Sequence, residues 1–339
     1  MSAARLGIGA ASLASLVLAV VYLGVAREGP DLAVLWQWIA SWWGGPAPSV
    51  ADAFVLAEVR APRLVVAVSG GAALAVAGAV MQAAFRNPLA SPDLVGTAAG
   101  AALGGSLAIV GGLAALGVLV VPLASLVGAL AITAAVFVLA RAHGRFAVAT
   151  LLLAGVALNT LVGALTSFVV TFTFDNYTAS SRVLFWLMGG LEARTWEHAA
   201  VTSLGGLGCV ILMLPRVREL DLLTLHDDSA HSLGVDAPHA RRWLVACACG
   251  LTACTVANTG GIAFVGLVVP HLARLLVGPA HRRLLPVAAL LGGLLLAGSD
   301  LACRLAPPDW NLRLGVVTAL LGAPYFLVLL ARHRRGEAL

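Results

Sequence analysis

The sequence predicts an all-α polytopic membrane protein of about ten transmembrane helices. Three observations predict it. Mean hydropathy is +0.96. Only 11% of the residues are charged, where a soluble domain carries about 25%. The apolar runs are long and continuous, which fits helices of roughly 20 residues and not the alternating ~10-residue segments of an outer-membrane barrel. Helices and closed barrels are the two structures that satisfy the backbone in lipid.

The first expected span is 6–26. Its apolar run exceeds the ~7–15 residues of a signal-peptide core, so it reads as a helix that stays. Residues 27–61 are expected as a long outer loop. Trp36, Trp38, Trp42 and Trp43 lie there, suited to a membrane interface. The second span, 62–84, contains "GGAALAVAGAV", small residues that let helix backbones approach closely in lipid. The polar turn "FRNPLASPDLVG" (85–96) follows. Its prolines and Asn87 stop the helix, and Asn-Pro is a common turn former. Such irregular backbone is tolerated in a membrane where it is buried in protein or lines water. Spans at 94–111, 114–140, 149–173 and 196–214 come next. Residues 216–242, "RVRELDLLTLHDDSAHSLGVDAPHARR", are too charged to span. "ELDLLTLHDD" has helical spacing and "SLGVDAP" reads as a turn, so two short helices are expected. Spans at 243–259, 262–277, 284–302 and 315–332 complete a single domain, 1–339.

All 21 basic residues are arginine. The missing lysine excludes a phosphate-binding loop of the Gly-Lys type. With the N-terminus in the cytoplasm, Arg5, Arg86, Arg141, Arg145, Arg216, Arg218, Arg241, Arg242, Arg274, Arg282, Arg283, Arg332, Arg334 and Arg335 lie inside. Arg27, Arg60, Arg63, Arg182, Arg194, Arg304 and Arg313 lie outside. That 14-to-7 split follows the positive-inside rule and places both termini in the cytoplasm.

Cys209, Cys247, Cys249, Cys254 and Cys303 all fall in apolar runs, and C-x-C is neither a zinc nor a redox spacing. His271 stands without a second ligand, and His226, His231 and His239 are too scattered for a metal, so no metal site and no catalytic residue is expected. Asp300 is the acid deep in an apolar run, where an acid is costly. Arg304, four residues on, is its expected partner.

Five ordered motifs carry a family resemblance: "RAPRLVVAVSGGAALAVAGAVMQAAFRNPLASPDLVGTAAGAALG" (60–104), "LLLAGVALNTLVGALTSF" (151–168), "FWLMGGLEARTW" (185–196), "GGIAFVGLVVPHLARLLVGPAHRRLLPVAALLGGLLLAGSDLACR" (260–304) and "LGVVTALLGAPYFLVLL" (314–330). They resemble the FecCD-type permeases of type II ABC importers for ferric siderophores, ferric citrate, haem or cobalamin, over nearly the whole chain.

The resemblance implies a permease subunit of the bacterial inner membrane. It would pair with a second permease subunit, identical or paralogous, two cytoplasmic ABC ATPases and a periplasmic substrate-binding protein. Its surroundings are membrane lipid and it needs no nucleic acid. The chain itself would hold no cofactor, since ATP and Mg belong to the ATPases. Asn87 and Leu89 would line a cytoplasmic gate opposite Val148 and Ala149, two apolar residues where relatives often have small polar ones. Arg60, Arg63 and Arg304 would dock acids of the binding protein, bidentate contacts for which arginine is suited. Arg313 sits in "NLR", where many relatives carry Glu-Leu-Pro, and makes the outer face more basic. The ATPases would receive residues 222–237, including Leu225, Ser232, Leu233, Gly234 and Val235. The form "RNPLASPD" looks most like that of ferric citrate and siderophore subunits. Haem or cobalamin cargo keeps the same architecture. An ion-coupled secondary transporter is the alternative of another class, although no inverted repeat is visible. An intramembrane enzyme lacks paired acids or a nucleophile–histidine motif.

Overall fold

The computed structural model describes residues 3–26, 29–141, 148–173, 177–225 and 227–334. Arg27, Arg145, His226 and Arg335, named above, lie outside them. Each of the ten expected spans coincides with a helix.

Helix α1 (Ala3–Gly24) ends in a two-residue ladder of Val25–Ala26 against Gly29–Pro30. The expected outer loop is largely helical. Helix α2 (Leu32–Ser41) holds Trp36 and Trp38, and Trp38 meets Trp42 edge-on at 4.9 Å. Trp36, Trp42 and Trp43 are all exposed. The apolar spacing of "LAVLWQWIAS" explains the helix. Helix α3 (Val50–Phe54) is capped by Ser49, whose hydroxyl accepts from the Asp52 N–H at 3.1 Å. It continues through a π-helical stretch, Val55–Arg60, into α4 (Ala61–Phe85). The rod therefore runs 36 residues, Val50–Phe85. Glu58, Arg60 and Arg63 interrupt its apolar run, which is why the sequence places its start at 62.

Helix α4 is the centre. It packs against α9 (Trp196–Met213), α12 (Ala237–Thr259), α13 (Val265–Val277) and α14 (His281–Leu305), and almost every residue from Gly70 to Phe85 is buried. An all-round apolar helix is the kind that fills a core. Its glycines permit backbone-to-backbone contact: Gly71 lies against Gly292 of α14 and Gly78 against Gly266 of α13, where a Cβ would collide with the neighbouring carbonyls.

Helix α5 (Thr97–Val110) and α13 (Val265–Val277) have 14 and 13 residues, about 20 Å each at 1.5 Å per residue. Neither crosses ~30 Å of hydrocarbon alone. The 3-10 turn Pro92–Val95 precedes α5, and the extended residues 260–264 precede α13. These polar or irregular stretches face each other across a cleft of about 200 Å³ lined by Ser91, Asp93 and Ile262 through Phe264.

The remaining helices are α6 (Val120–Ala140), α7 (Val148–Thr171), α8 (Tyr177–Leu187), α9 (Trp196–Met213), α10 (Val217–Leu223), α11 (Asp227–Ser232), α12 (Ala237–Thr259), α14 (His281–Leu305) and α15 (Leu314–Arg334). Among the described residues, five helical rods are long and apolar enough to cross a membrane on their own, α6, α7 and α14 among them. Only 17% of the apolar window of α7 is buried. Leu153, Val156, Leu161, Leu165 and Phe168 stand exposed along it, and Phe172 just past its end. An exposed apolar face of that length needs lipid or a second protein surface.

Candidate functional site

The turn 85–96 and the 217–235 segment lie at one end of the bundle, and the arginine group lies at the other.

At the first end, Arg86 closes α4 in the left-handed conformation, φ 51°. This region costs a non-glycine residue roughly 1–2 kcal/mol. Asn87 folds back on its own turn, its Oδ1 accepting from the Leu89 N–H at 2.9 Å, so it acts as an Asx cap. Leu89 is left exposed. Gln82, Arg86, Asn87, Pro88, His271 and Arg274 line a cleft of about 520 Å³ beside the turn. Arg274 donates to Gln82 Oε1 at 2.6 Å, and Gln82 Nε2 donates to the Leu267 carbonyl at 3.1 Å. His271 is buried, with its ring 6.3 Å from that of Tyr325.

The turn is fastened on two sides. Arg86 donates to the Leu225 carbonyl at 3.0 Å, just past α10. Asn159 of α7 donates from Nδ2 to the Asp93 carbonyl at 2.8 Å. Gly155 of α7 lies so close to the Leu94 carbonyl that a Cβ could not fit. A continuous path thus runs from the end of α10, through the turn, to α7. Beneath it, the buried Arg241 donates from Nε to the Ala84 carbonyl at 2.8 Å, a cation placed at a helix C-terminus. The turn meets α7 at Gly155 and Asn159, one to three turns beyond Val148 and Ala149. Ala149 is exposed, and the Val148 side chain lies outside the described residues.

The two short helices expected in 216–242 are present as α10 and α11. Gly234, at φ 82°, ends α11. Its N–H donates to the His231 carbonyl at 2.9 Å, and the Val235 N–H donates to the Ala230 carbonyl at 3.0 Å. That pair is a Schellman cap, which favours glycine at this position. It turns Leu233 out to solvent, 58% exposed. Leu225 and Ser232 are exposed as well. Asp236 then caps α12, accepting from the His239 N–H at 3.1 Å.

At the opposite end the arginines converge, with a different pairing from the one expected. Asp300, 1% exposed, is held by Arg63 and not by Arg304. Arg63 Nε and Nη2 each donate to one carboxylate oxygen at 2.8 Å, and the Tyr22 hydroxyl donates at 2.5 Å. The carboxylate faces inward, toward α1 and α4. Arg304, one turn on, reaches the end of α1 and donates to the Tyr22 carbonyl at 2.6 Å and to the Val25 carbonyl. It satisfies carbonyls that a helix C-terminus leaves without partners. Arg60 donates to the Leu23 carbonyl at 2.6 Å. Arg313 pairs with Glu192 at 3.1 Å and stacks 3.8 Å above the Phe185 ring. Arg63, Arg304, Arg313 and Glu192 line a cleft of about 510 Å³. Arg194 is beside them, and burial lowers its pKa to about 10, which leaves it charged at neutral pH.

Tyr22 and Glu192 join this group without having been expected there. Tyr22 is a lone phenol in an apolar run, separated from Asp300 by 278 positions, and no spacing rule connects them. Glu192 is the acid of "GGLEARTW", and its place among outer arginines was the available signal. Among the described residues no cluster of three metal-ligating side chains exists.

A multi-helix membrane bundle with buried, glycine-rich contacts, a polar turn tied to a short-helix segment and a basic opposite rim defines a transport permease. The chain belongs to the FecCD transport family, which matches residues 13–332. It is the permease of an ABC importer. It is 42% identical over 289 residues to the cobalamin import system permease BtuC of Halobacterium salinarum, covering 84% of this chain and 75% of that one. It is also 42% identical over 288 residues to the Fe(3+) dicitrate transport permease FecD of Escherichia coli, covering 83% and 86%. Among solved structures, one described as an inward-facing metal-chelate type ABC transporter superposes with a TM-score of 0.83 at 31% identity, over 96% of this chain and 98% of the other.

Proposed function

We propose that this permease carries an iron(III) chelate, of the ferric citrate or siderophore class, across the inner membrane into the cytoplasm. The observation that carries the cargo reading is the basic rim. Arg63, Arg304 and Arg313 line one cleft with Glu192 as its acid, and a positive mouth concentrates anionic complexes. Similarity to the ferric dicitrate permease supports the same reading. Cobalamin is the second reading, favoured by an equally identical relative.

In this reading α10 and α11 face the cytoplasm and meet two ATPases, which hold ATP and Mg, through Leu225, Ser232, Leu233, Gly234 and Val235. The outward-turned Leu233 supports such a contact. The exposed face of α7 meets the pathway and a second permease subunit, and Leu89 forms the gate lip. Asn87 shapes that lip by capping the turn, so its role is to position Leu89. Arg60, Arg304 and Arg313 meet acids of a periplasmic binding protein. Arg63 contributes by fixing the rim, since its fork is already filled by Asp300.

Uptake of iron-55 by cells lacking this chain tests the proposal, with ferric citrate, ferric hydroxamate and haem supplied in parallel and ATPase-inactive strains as controls. Loss of ferric citrate or hydroxamate uptake, matched by the ATPase control, is the expected result. Unchanged uptake of all three would move the cargo to cobalamin.

A further inference from the structure

A cleft of about 560 Å³ opens on the side of the bundle, between the end of α9 with α10 and the start of α14. Its inner wall is apolar, with Val210, Leu285 and Ala289 among the lining residues. Its rim carries Arg218 and Arg282, both exposed. Neither makes an ion pair with an acid among the described residues. The acid at the rim, Asp221, is committed elsewhere: its Oδ1 accepts from the His281 backbone N–H at 2.9 Å and contacts the imidazole Nδ1 at 2.7 Å. The Nε2 of that ring is buried without a partner.

The level of the cleft in the membrane is marked independently. Ile211 and Leu212 on the flank of α9, and Leu214 just past its end, stand exposed, each more than half accessible. Directly beyond them the chain turns basic. Trp243, 41% exposed, donates from its indole to the Leu212 carbonyl at 3.0 Å and lies 5.6 Å beneath the Arg216 guanidinium. Tryptophan and arginine at one level are the signature of the headgroup region. The cleft thus has its greasy wall on the hydrocarbon side and, on the headgroup side, two guanidinium groups with no acid partner among the described residues.

We propose that this cleft binds one anionic glycerophospholipid. Arg218 and Arg282 hold the phosphate diester, and the acyl chains lie along Val210, Leu285 and Ala289. Guanidinium forks match phosphate oxygens in pairs, and basic pockets between membrane helices on the cytoplasmic side are known headgroup sites. The assignment to the cytoplasmic leaflet rests on the orientation given above; the site itself does not. The lipid would bridge α9–α10 to α14, and so would bear on the segment that ends at Leu225.

Native mass spectrometry of the full chain, released from detergent in the presence of phosphatidylglycerol or phosphatidylcholine, tests this. One phosphatidylglycerol is expected to be retained in preference to phosphatidylcholine. Arg218→Gln and Arg282→Gln are each expected to weaken that retention by roughly fivefold. Ala289→Trp keeps both charges and fills the apolar wall, and it should lower retention of phosphatidylglycerol while the helix content stays unchanged. Equal retention of the two lipids, or the same retention by all three variants, overturns the proposal. Displacement of the lipid by millimolar inorganic phosphate would assign the rim to free anions and overturn it too. Iron-55 uptake reads the transport reading separately, so either can fail without the other.

Discussion

Replacing Asp300 by Asn removes the charge that Arg63 was built to meet. The carboxylate is 1% exposed and the Arg63 side chain 14%, and three donors converge on it: two from Arg63 at 2.8 Å and the Tyr22 hydroxyl at 2.5 Å. Removing one partner of such a buried pair costs roughly 3–5 kcal/mol, because the other charge stays buried without compensation. Arg63 retains slight access to solvent, so the lower part of that range is expected. Arg63→Gln should cost a similar amount, since it strands the carboxylate. The double variant Arg63→Gln/Asp300→Asn should cost less than the sum by about 2 kcal/mol, within the usual coupling of contacting residues. Arg304→Gln discriminates between the two pairings. It loses hydrogen bonds to the Tyr22 and Val25 carbonyls but leaves Asp300 paired, and it should cost about 1–3 kcal/mol. The assay is equilibrium unfolding in mixed detergent–SDS micelles, with all variants measured under one condition. A cost below about 0.5 kcal/mol for Asp300→Asn, the range of ordinary surface changes, would refute the reasoning. So would full additivity of the pair, or an Arg304→Gln variant less stable than Arg63→Gln.

Arg86→Gln removes a charged hydrogen bond to the Leu225 carbonyl, worth about 1.5–3 kcal/mol. If that bond acts in the transport cycle, uptake falls roughly tenfold or more while basal ATPase activity of the assembled transporter is retained; equal loss of both rates would point to misfolding instead. Gly78→Ala drives a Cβ into the Gly266 backbone and should destabilise by about 1–3 kcal/mol or more. Gly208→Ala, with open space around it, should stay within about 0.5 kcal/mol of the parent; thermal survival in detergent ranks the two. Gly234→Ala forces a side chain into the left-handed cap of α11, at about 1–2 kcal/mol. Its measurable effect is weaker co-purification of the ATPase subunits, and undiminished co-purification would count against contact through this cap.

The ten spans were readable because lipid imposes one dominant rule, apolar length, and each expected run became a helix. The two short helices of 216–242 were readable too, since "SLGVDAP" combines a glycine with an N-cap aspartate and a proline. What escaped was pairing across the fold. An i, i+4 rule applied to Asp300 and Arg304 assumes that both side chains stay on their own helix surface. Asp300 instead turns into the three-helix junction, where Arg63 and Tyr22 already point. Sequence spacing knows nothing of that rotation. The 27–61 region escaped for another reason: its prolines, glycines and tryptophans look like loop signals, yet the apolar periodicity of Leu32–Ser41 is sufficient for a helix. Arg60, Arg63, Arg304 and Arg313 do gather at one end, but their donors are partly engaged by carbonyls and carboxylates of the chain itself. A charge that looks available in the sequence is often already employed in the fold.

The close seating of α4 carries a consequence for how such a molecule can move. Where Gly71 meets Gly292 and Gly78 meets Gly266, no side chain separates the backbones, so there is nothing to re-rotate or repack. A tilt of α4 against α13 or α14 would open a void on one side and collide on the other. These three helices therefore behave as a single stiff piece. Displacement would fall to helices whose surfaces the chain itself leaves uncovered, α7 among them. A transport cycle built on this architecture would swing a peripheral blade about a fixed hub, with the turn at 86–96 as the hinge pin between them.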